Sequence, residues 1–288
     1  MKGSQRYQIA LAGALVVAFL GVGRAEAGSV FALSSYTPSF TFQDKLGATT
    51  MTLAFDGTYY WSSSGGSMSG PRYAQYDSSG AFIATYAPGL DFRSVFTDSS
   101  GKVYARQYND DRIYRQTTTL GVFEESGVVL SGGPLDAQSG VVLDETAMQY
   151  LAHGPSGFDG GGIVTRWDMD GTNLGTVSLA GFGSVTGETV YPANRGIAVG
   201  QGHWLTYRNQ TLSAWDAAGN RVDTATLVGA GTGTSSHFSL SYANNMVFIV
   251  DGPGGLWRGY VIPEPVTILG VFAGAAGLAG YLRRRRLA

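Results

Sequence analysis

The sequence predicts an all-β protein, a β-propeller of five four-stranded blades, and two observations support this prediction. First, 43 of the 288 residues are Gly, about twice the usual share, and they separate short aromatic and β-branched runs. Second, the pattern aromatic-Asp-x-x-Gly-x-x-aliphatic-x-Thr occurs three times without gaps, beginning at Tyr76, Trp167 and Trp215. An open sandwich and a six-bladed ring are the competing all-β architectures.

The repeated pattern predicts hairpin corners. An Asp at the first position of a type I turn hydrogen-bonds to its own backbone, and a Gly at the fourth position accepts positive φ, so that a second strand can return. Two further Asp-x-x-Gly turns occur at 98–101 and 251–254. One complete blade of four strands is expected at Gly140–Asp144, Met148–Ala152, Ile163–Trp167 and Leu174–Leu179.

The first strands of the five blades are expected near Met51, Phe92, Ser139, Arg195 and His237. The last blade is one strand short, because only Phe238–Tyr242, Met246–Val250 and Leu256–Ile262 precede a different kind of sequence. We expect the N-terminal segment Val30–Gln43 to supply the missing outer strand. Such pairing of the two chain ends closes the ring and leaves only short edges exposed.

Residues 1–27 are typical of a secretory signal peptide. Lys2 and Arg6 precede the apolar run Ile9–Val22, and Ala25-Glu26-Ala27 supplies the small-x-small cleavage pattern. A retained N-terminal anchor is the alternative. The propeller domain, residues 28–262, is therefore expected outside the cytoplasm.

The C-terminal residues 263–288 contain three features in a fixed order. Val266–Leu282 is an uncharged stretch of 17 residues, the short limit for a membrane-spanning helix. A basic cluster follows it directly and prefers the cytoplasmic side; it consists of Arg283, Arg284, Arg285 and Arg286. Pro263, Glu264 and Pro265 stand immediately before the apolar stretch. The sequence thus predicts a C-terminal transmembrane helix that runs from outside to inside.

This order of features resembles the PEP-CTERM sorting signal of Gram-negative bacteria, over about residues 261–288. The resemblance implies that an exosortase-type membrane protease recognises Pro263, Glu264 and Pro265. It also implies that Arg283–Arg286 retain the tail in the membrane until processing, and that the producing cell makes exopolysaccharide. The expected location is the periplasm, the outer surface or the extracellular matrix. A C-terminal anchor that is never processed is the alternative.

Composition excludes several classes of function. The chain has no Cys, which excludes disulfides, thiolate nucleophiles and Cys-containing zinc sites. Without the two ends, 12 Lys and Arg stand against 19 Asp and Glu, a net charge of −7. A mildly acidic domain of low charge content argues against nucleic acid as a partner.

No catalytic constellation can be assigned, and no cofactor is predicted. Gly-x-Ser-x-Gly is absent, and His153, His203 and His237 fall in three different expected blades, where packing or loop roles are favoured. Glu124 and Glu125 are neighbours on a strand and should point to opposite faces. A carboxylate pair that hydrolyses glycans is left open, because its spacing is set by the fold.

Two further groups have a functional and a structural interpretation. Asp168, Asp170 and Asn173 resemble part of a calcium loop but lack its distal Glu, so a hairpin turn is favoured. Several aromatic residues could stack on sugars or pack between blades, and packing is favoured; they are Tyr59, Tyr60, Trp61, Trp204, Tyr207 and Trp257.

The leading functional hypothesis is an exported, envelope-sorted and non-catalytic protein that binds or organises extracellular polysaccharide or surface proteins. The alternatives are a glycan hydrolase with unassigned carboxylates, and a propeller that binds calcium or a small molecule at the centre of the ring.

Overall fold

The computed structural model describes residues 29–47, 49–154, 162–182 and 196–263. These residues form 21 strands and one short helix, α1 (Thr234–Phe238). The strands of the first half are β1 (Ser35–Tyr36), β2 (Phe40–Gln43), β3 (Thr49–Phe55), β4 (Tyr60–Gly65), β5 (Tyr73–Tyr76), β6 (Phe82–Tyr86), β7 (Phe92–Thr97), β8 (Val103–Gln107), β9 (Arg112–Gln116) and β10 (Phe123–Val129). Those of the second half are β11 (Val141–Asp144), β12 (Gln149–His153), β13 (Ile163–Asp168), β14 (Asn173–Ser178), β15 (Ala198–Gly200), β16 (His203–Arg208), β17 (Thr211–Trp215), β18 (Arg221–Leu227), β19 (Ser241–Ala243), β20 (Met246–Val250) and β21 (Leu256–Val261).

The strands pair into five sheets, each with four antiparallel strands, which are the five blades of a propeller. We name the strands of a blade A to D from the centre outward. Blades 1 to 4 are β3–β6, β7–β10, β11–β14 and β15–β18, and blade 5 is β19, β20, β21 and β2. The predicted number of blades and strands is therefore confirmed.

The N-terminal segment closes the ring, as expected, through β2. Phe40 pairs with Gly259 and Gln43 with Leu256, so that β2 is strand D of blade 5. The segment also supplies β1, which was not anticipated: Ser35 and its neighbour pair in parallel with the end of β18 and add a fifth strand to blade 4.

Burial falls from the centre of the ring to its rim. Strands A and B of blade 1 are buried along nearly their whole length, whereas strand D of each of the first four blades is largely exposed. The apolar cores therefore lie between blades, where the large aromatic side chains stack. At the junction of blades 5 and 1, the rings of Phe42 and Trp257 lie 6.4 Å apart and those of Phe42 and Tyr76 4.8 Å apart.

The repeated Asp-x-x-Gly pattern forms the C–D corners of blades 1, 3 and 4. In blade 3 the Gly171 amide donates to the Asp168 carbonyl at 3.0 Å, and the Asp168 carboxylate accepts the amides of Asp170 and Thr172 at 3.0 and 2.8 Å. Gly171 has a φ of +85°, as the turn requires. The fifth occurrence, 251–254, differs, since the amide of Gly254 donates to the carbonyl of Leu46 instead.

Each corner glycine also contacts the preceding blade. Strand D of one blade ends against the C–D turn of the next blade, and a Cβ on Gly171 would lie closer than 3.0 Å to the Val129 carbonyl oxygen. We call these contacts the rim junctions; they pair Gly80 with Phe42, Gly121 with Tyr86, Gly171 with Val129 and Gly219 with Ser178. Two of them include backbone hydrogen bonds, from Ser131 N to Gly171 O at 2.9 Å and from Ala180 N to Gly219 O at 2.8 Å.

The expected start of the last blade was wrong. His237 and Phe238 lie in helix α1, and strand A of blade 5 begins at Ser241. The alternation of Phe238, Leu240 and Tyr242 imitates a strand, but Ser239 donates its hydroxyl to the carbonyl of Ser236, a local bond that favours a turn over a sheet. The expected start at Arg195 lies outside the described residues, as do residues 1–27 and the segment 266–282. In the part that the structure describes, no helix is long and apolar enough to cross a membrane.

Candidate functional site

A cavity of about 270 Å³ lies on the axis of the ring. Its walls are the A strands of all five blades. The side chains that line it are mostly aliphatic, with hydroxyl and amide groups between them. One water molecule occupies roughly 30 Å³ in the liquid. The cavity is about nine times larger and is therefore large enough for a small organic molecule.

Hydroxyl side chains join neighbouring A strands around this channel. The amide of Val95 donates to the hydroxyl of Thr52 at 2.6 Å, and that hydroxyl donates to the Val95 carbonyl at 2.9 Å. The amide of Val141 donates to the hydroxyl of Ser94 at 2.9 Å, and the amide of Leu53 to that of Ser241 at 2.8 Å. An A strand pairs with a neighbour on one side only, so these hydroxyls satisfy backbone groups that the sheets leave free.

The channel opens between the A–B connections, where exposed Glu145 and Thr146 form part of its rim. We call this end the channel mouth. Glu145 Oε1 accepts hydrogen bonds from the amide and the hydroxyl of Ser99 at 2.8 and 3.0 Å. The Glu145 carboxylate therefore sits in a fixed position at the mouth.

Gln201 stands at the same end, in the A–B turn of blade 4. Its backbone has a φ of +54°, and its side-chain amide donates to the carbonyl of Ile262, just after strand β21. Its Oε1 is buried and has no hydrogen-bond partner among the described residues. Gln201 therefore fixes the end of β21 to the channel mouth through its side-chain amide, while its Oε1 is closed off from the channel.

Asp44 is the polar centre of the ring closure. It is 2% exposed and accepts hydrogen bonds from Thr50, Ser62 and Tyr76 of blade 1 at 2.9 to 3.2 Å, and from the Trp257 indole of blade 5 at 3.4 Å. Burial raises the pKa of the Asp44 carboxyl above its ordinary value, and these hydrogen bonds offset part of that rise.

Arg106 is a second buried charge, at the junction of blades 2 and 3. It is fully buried and donates to the carbonyls of Asp110, Ala137 and Ser139. Burial lowers the pKa of Arg106 to about 10, against the attraction of Asp111. The side chain thus joins the B–C turn of blade 2 to the connection that leads into blade 3.

The calcium candidates lie in the β13–β14 corner. The Asp168 carboxylate is occupied by amides of its own turn, and Asn173 uses both ends of its side chain on the backbone of Arg166 and Gly175. Within the described residues, no group of three or more His, Asp or Glu side chains could hold a metal ion.

The three histidines do not converge. His153 ends β12 at the B–C side of blade 3, whereas His203 begins β16 at the A–B side of blade 4. His237 lies in α1, where its Nε2 is 3.2 Å from the Asn209 side chain. Burial lowers the pKa of His237, and the nearby Arg208 lowers it further.

Five of the six aromatic residues considered for sugar stacking are core residues, and the sixth, Tyr59, is partly buried against the core of blades 1 and 2. Tyr60, Trp61, Trp204, Tyr207 and Trp257 are all 2% exposed or less. Their packing role follows from that burial.

Glu124 and Glu125 lie on the outermost strand of blade 2, where each binds an arginine across the sheet. Arg115 contacts Glu124 and Arg112 contacts Glu125, at 2.5 Å in both pairs. Of the sorting motif, only Pro263 is described, and Ile262 separates it from the end of β21; Glu264, Pro265 and Arg283–Arg286 lie outside the described residues.

Comparisons with known proteins do not assign this chain to a family. No protein-family model matches the chain, and no curated protein matches it. Among solved structures, a gluconolactonase of Xanthomonas campestris is similar over 82% of this chain and 89% of its own, at 10% identity and a TM-score of 0.44. A streptogramin B lyase is similar over 78% of this chain and 73% of its own, at 15% identity and a TM-score of 0.38. A quinoprotein alcohol dehydrogenase-like protein of Bacteroides thetaiotaomicron matches over 77% and 53%, at 8% identity and a TM-score of 0.39. Such scores carry no argument about activity, and the propeller assignment stands on the strand pairing itself.

Proposed function

We propose that this chain is an exported, envelope-sorted protein whose propeller binds, without catalysis, neutral polar units of the extracellular polysaccharide. The observation that carries the binding part is the axial channel. Its described walls combine aliphatic side chains with hydroxyl groups and the carboxylate of Glu145. Apolar walls with a few fixed polar groups are the usual composition of a small-molecule site.

A sugar unit fits this lining better than an ion does. A sugar ring carries hydroxyl groups that can pair with the threonine hydroxyls of the lining, and aliphatic C–H faces for its valine and leucine side chains. Glu145, the one carboxylate among the described lining residues, is hydrogen-bonded to Ser99. Because glycoside hydrolysis commonly uses two carboxylates, we propose binding rather than cleavage. The volume of 270 Å³ lies just below the usual range of small-molecule sites, about 300–1,000 Å³, and suits a single sugar unit at a chain end.

The export and sorting part rests on the ends of the sequence. The signal-like residues 1–27 and the order Pro-Glu-Pro, apolar stretch and arginine cluster support a route through the inner membrane and processing by an exosortase-type protease.

The test is co-sedimentation of purified residues 28–263 with exopolysaccharide of the producing cells, with the supernatant scored for shortened chains. Retention without shortening supports the proposal, and shortened chains show an enzyme instead. If the protein stays in the supernatant, polysaccharide is excluded as its partner, and surface proteins remain as the partner class.

A matched pair of variants locates the binding. Thr146→Trp fills the channel mouth, whereas Thr118→Trp places the same bulk on the exposed C–D turn of blade 2. We expect Thr146→Trp to reduce retention by about tenfold or more, since a blocked site loses at least one hydrogen bond and its apolar contact. Thr118→Trp should bind as the unmodified chain does; equal binding by both variants would place the site elsewhere.

A further inference from the structure

We infer that, while the C-terminal segment is in the membrane, the propeller is held with its channel mouth against the lipid headgroups. This inference rests on the proposed membrane insertion of residues 266–282 and adds the orientation of the ring. Its evidence is the point at which the chain leaves the propeller.

The chain leaves at the channel mouth. Val261, the last residue of β21, pairs with Met246 beside the A–B turn of blade 5. Ile262 is 4% exposed and belongs to the core between blades 4 and 5, and its carbonyl accepts a hydrogen bond from Gln201, which lines the channel. The backbone is therefore fixed to the mouth up to Ile262.

The connection to the apolar segment is short. Only Glu264 and Pro265 separate Pro263 from Val266, and three residue steps span at most about 11 Å. The headgroup layer on each side of a bilayer is itself roughly 5–8 Å thick. The point at which the chain leaves, beside the channel mouth, must then lie within a few ångströms of the headgroups.

This orientation assigns roles to the two ends of the ring. The end that carries the B–C and D–A connections faces away from the membrane. The end that carries the channel mouth faces the headgroups.

The chain allows a direct test because it has no Cys. Met148 lies in the A–B turn of blade 3 and is 60% exposed, and Met68 lies in the B–C turn of blade 1 and is 59% exposed. Single variants Met148→Cys and Met68→Cys, in the chain from residue 28 to 288, are reconstituted into phosphatidylcholine–phosphatidylglycerol vesicles. The probe is a bulky polyethylene-glycol maleimide, and its rate of reaction is followed by a shift in gel mobility.

We expect M148C to react about tenfold more slowly than M68C in vesicles, because a bulky reagent is excluded from a gap of at most about 11 Å. The two rates should agree within about twofold in chains that end at Pro263. If M148C and M68C react at equal rates in protein that floats with the vesicles, the proposed orientation is wrong, although the membrane anchor is supported. Protection of M68C instead would show the reverse orientation. Protein that does not float would remove the anchor, and with it both this inference and the sorting proposal.

Discussion

The rim junctions and the inner polar contacts join the same blades by different means. At the rim, a corner glycine receives the end of the preceding strand D, and in blades 3 and 4 the contact includes backbone hydrogen bonds. Further inside, blades are joined by buried side chains, Asp44 between blades 5 and 1 and Arg106 between blades 2 and 3. Contacts between blades at the rim thus require a residue without a side chain, whereas contacts in the interior require specific polar side chains.

This difference explains what the sequence could predict. Asp-x-x-Gly is a local pattern whose turn geometry follows from four consecutive residues, so three C–D corners could be placed in advance. The Gly121 corner lacks the Asp and was missed, although it makes the same rim contact with Tyr86. The partner of a corner glycine, such as Val129 for Gly171, is set by the ring and not by the local sequence.

The inner contacts were not predicted because their partners are far apart in the chain. Asp44 and Trp257 are 213 residues apart, and nothing near Asp44 distinguishes it from a solvated loop residue. A weak signal existed for the channel hydroxyls, since Thr52-Leu53, Ser94-Val95 and Ser241-Tyr242 each place a hydroxyl directly before a large apolar residue. Gln201 carries no signal at all, because its role depends on the path of Ile262.

The largest expected effect comes from crowding a rim junction. Gly171→Ala forces an Ala to positive φ, at about 1–2 kcal/mol, and pushes its Cβ against the Val129 carbonyl, at about 1–3 kcal/mol. Gly175→Ala, in the neighbouring strand, is the matched control, since its φ is +93° but nothing lies within 4 Å of the added carbon. We expect losses in the free energy of unfolding by urea of about 3 and about 1 kcal/mol. Equal losses would mean that the rim contact adds nothing to backbone strain.

A smaller effect is expected from the ring closure. Asp44→Ala leaves four donors without their acceptor and should reduce the free energy of unfolding by about 2 kcal/mol. Asp144 is the matched buried carboxylate: it accepts hydrogen bonds from Ala147 and Gln149 of its own hairpin and from Trp204. Hydrogen exchange separates the two, because only Asp44→Ala should speed the exchange of the β2 amides, Phe40–Gln43. Slow exchange there in the Asp44→Ala variant would show that strand pairing alone holds the closing strand.

The smallest effect is a pair of opposite pH dependences, one at an Asp-x-x-Gly corner and one at the ring closure. Burial acts to raise the pKa of Asp98, in the A–B corner of blade 2, but hydrogen bonds from Ser100 and Lys102 outweigh it, so that the pKa lies below the ordinary 3.8. The contribution of Asp98 to stability is therefore present above pH 3.8 and lost as the pH falls through its folded value. The pKa of Asp44 is raised above 3.8, so its contribution is present below that pH and lost as the pH rises through its folded value.

Urea unfolding at stepped pH on both sides of 3.8 tests these signs. As the pH falls below 3.8, the free energy of unfolding of Asp98→Asn should decrease less than that of the unmodified chain. As the pH rises above 3.8, the free energy of unfolding of Asp44→Asn should decrease less than that of the unmodified chain. Neither difference can exceed about 1.4 kcal/mol per pH unit, the limit for one proton. Asp170→Asn is the control, because the Asp170 carboxylate accepts no hydrogen bond among those that the structure shows in this turn. If both variants changed the slope of the unfolding free energy against pH in the same direction, the pKa values of Asp98 and Asp44 would not be shifted in opposite directions, and the prediction would be wrong. Opposite changes would show that a corner stabilises its carboxylate by backbone amides, whereas the ring closure keeps a carboxylate in spite of the cost of burying its charge.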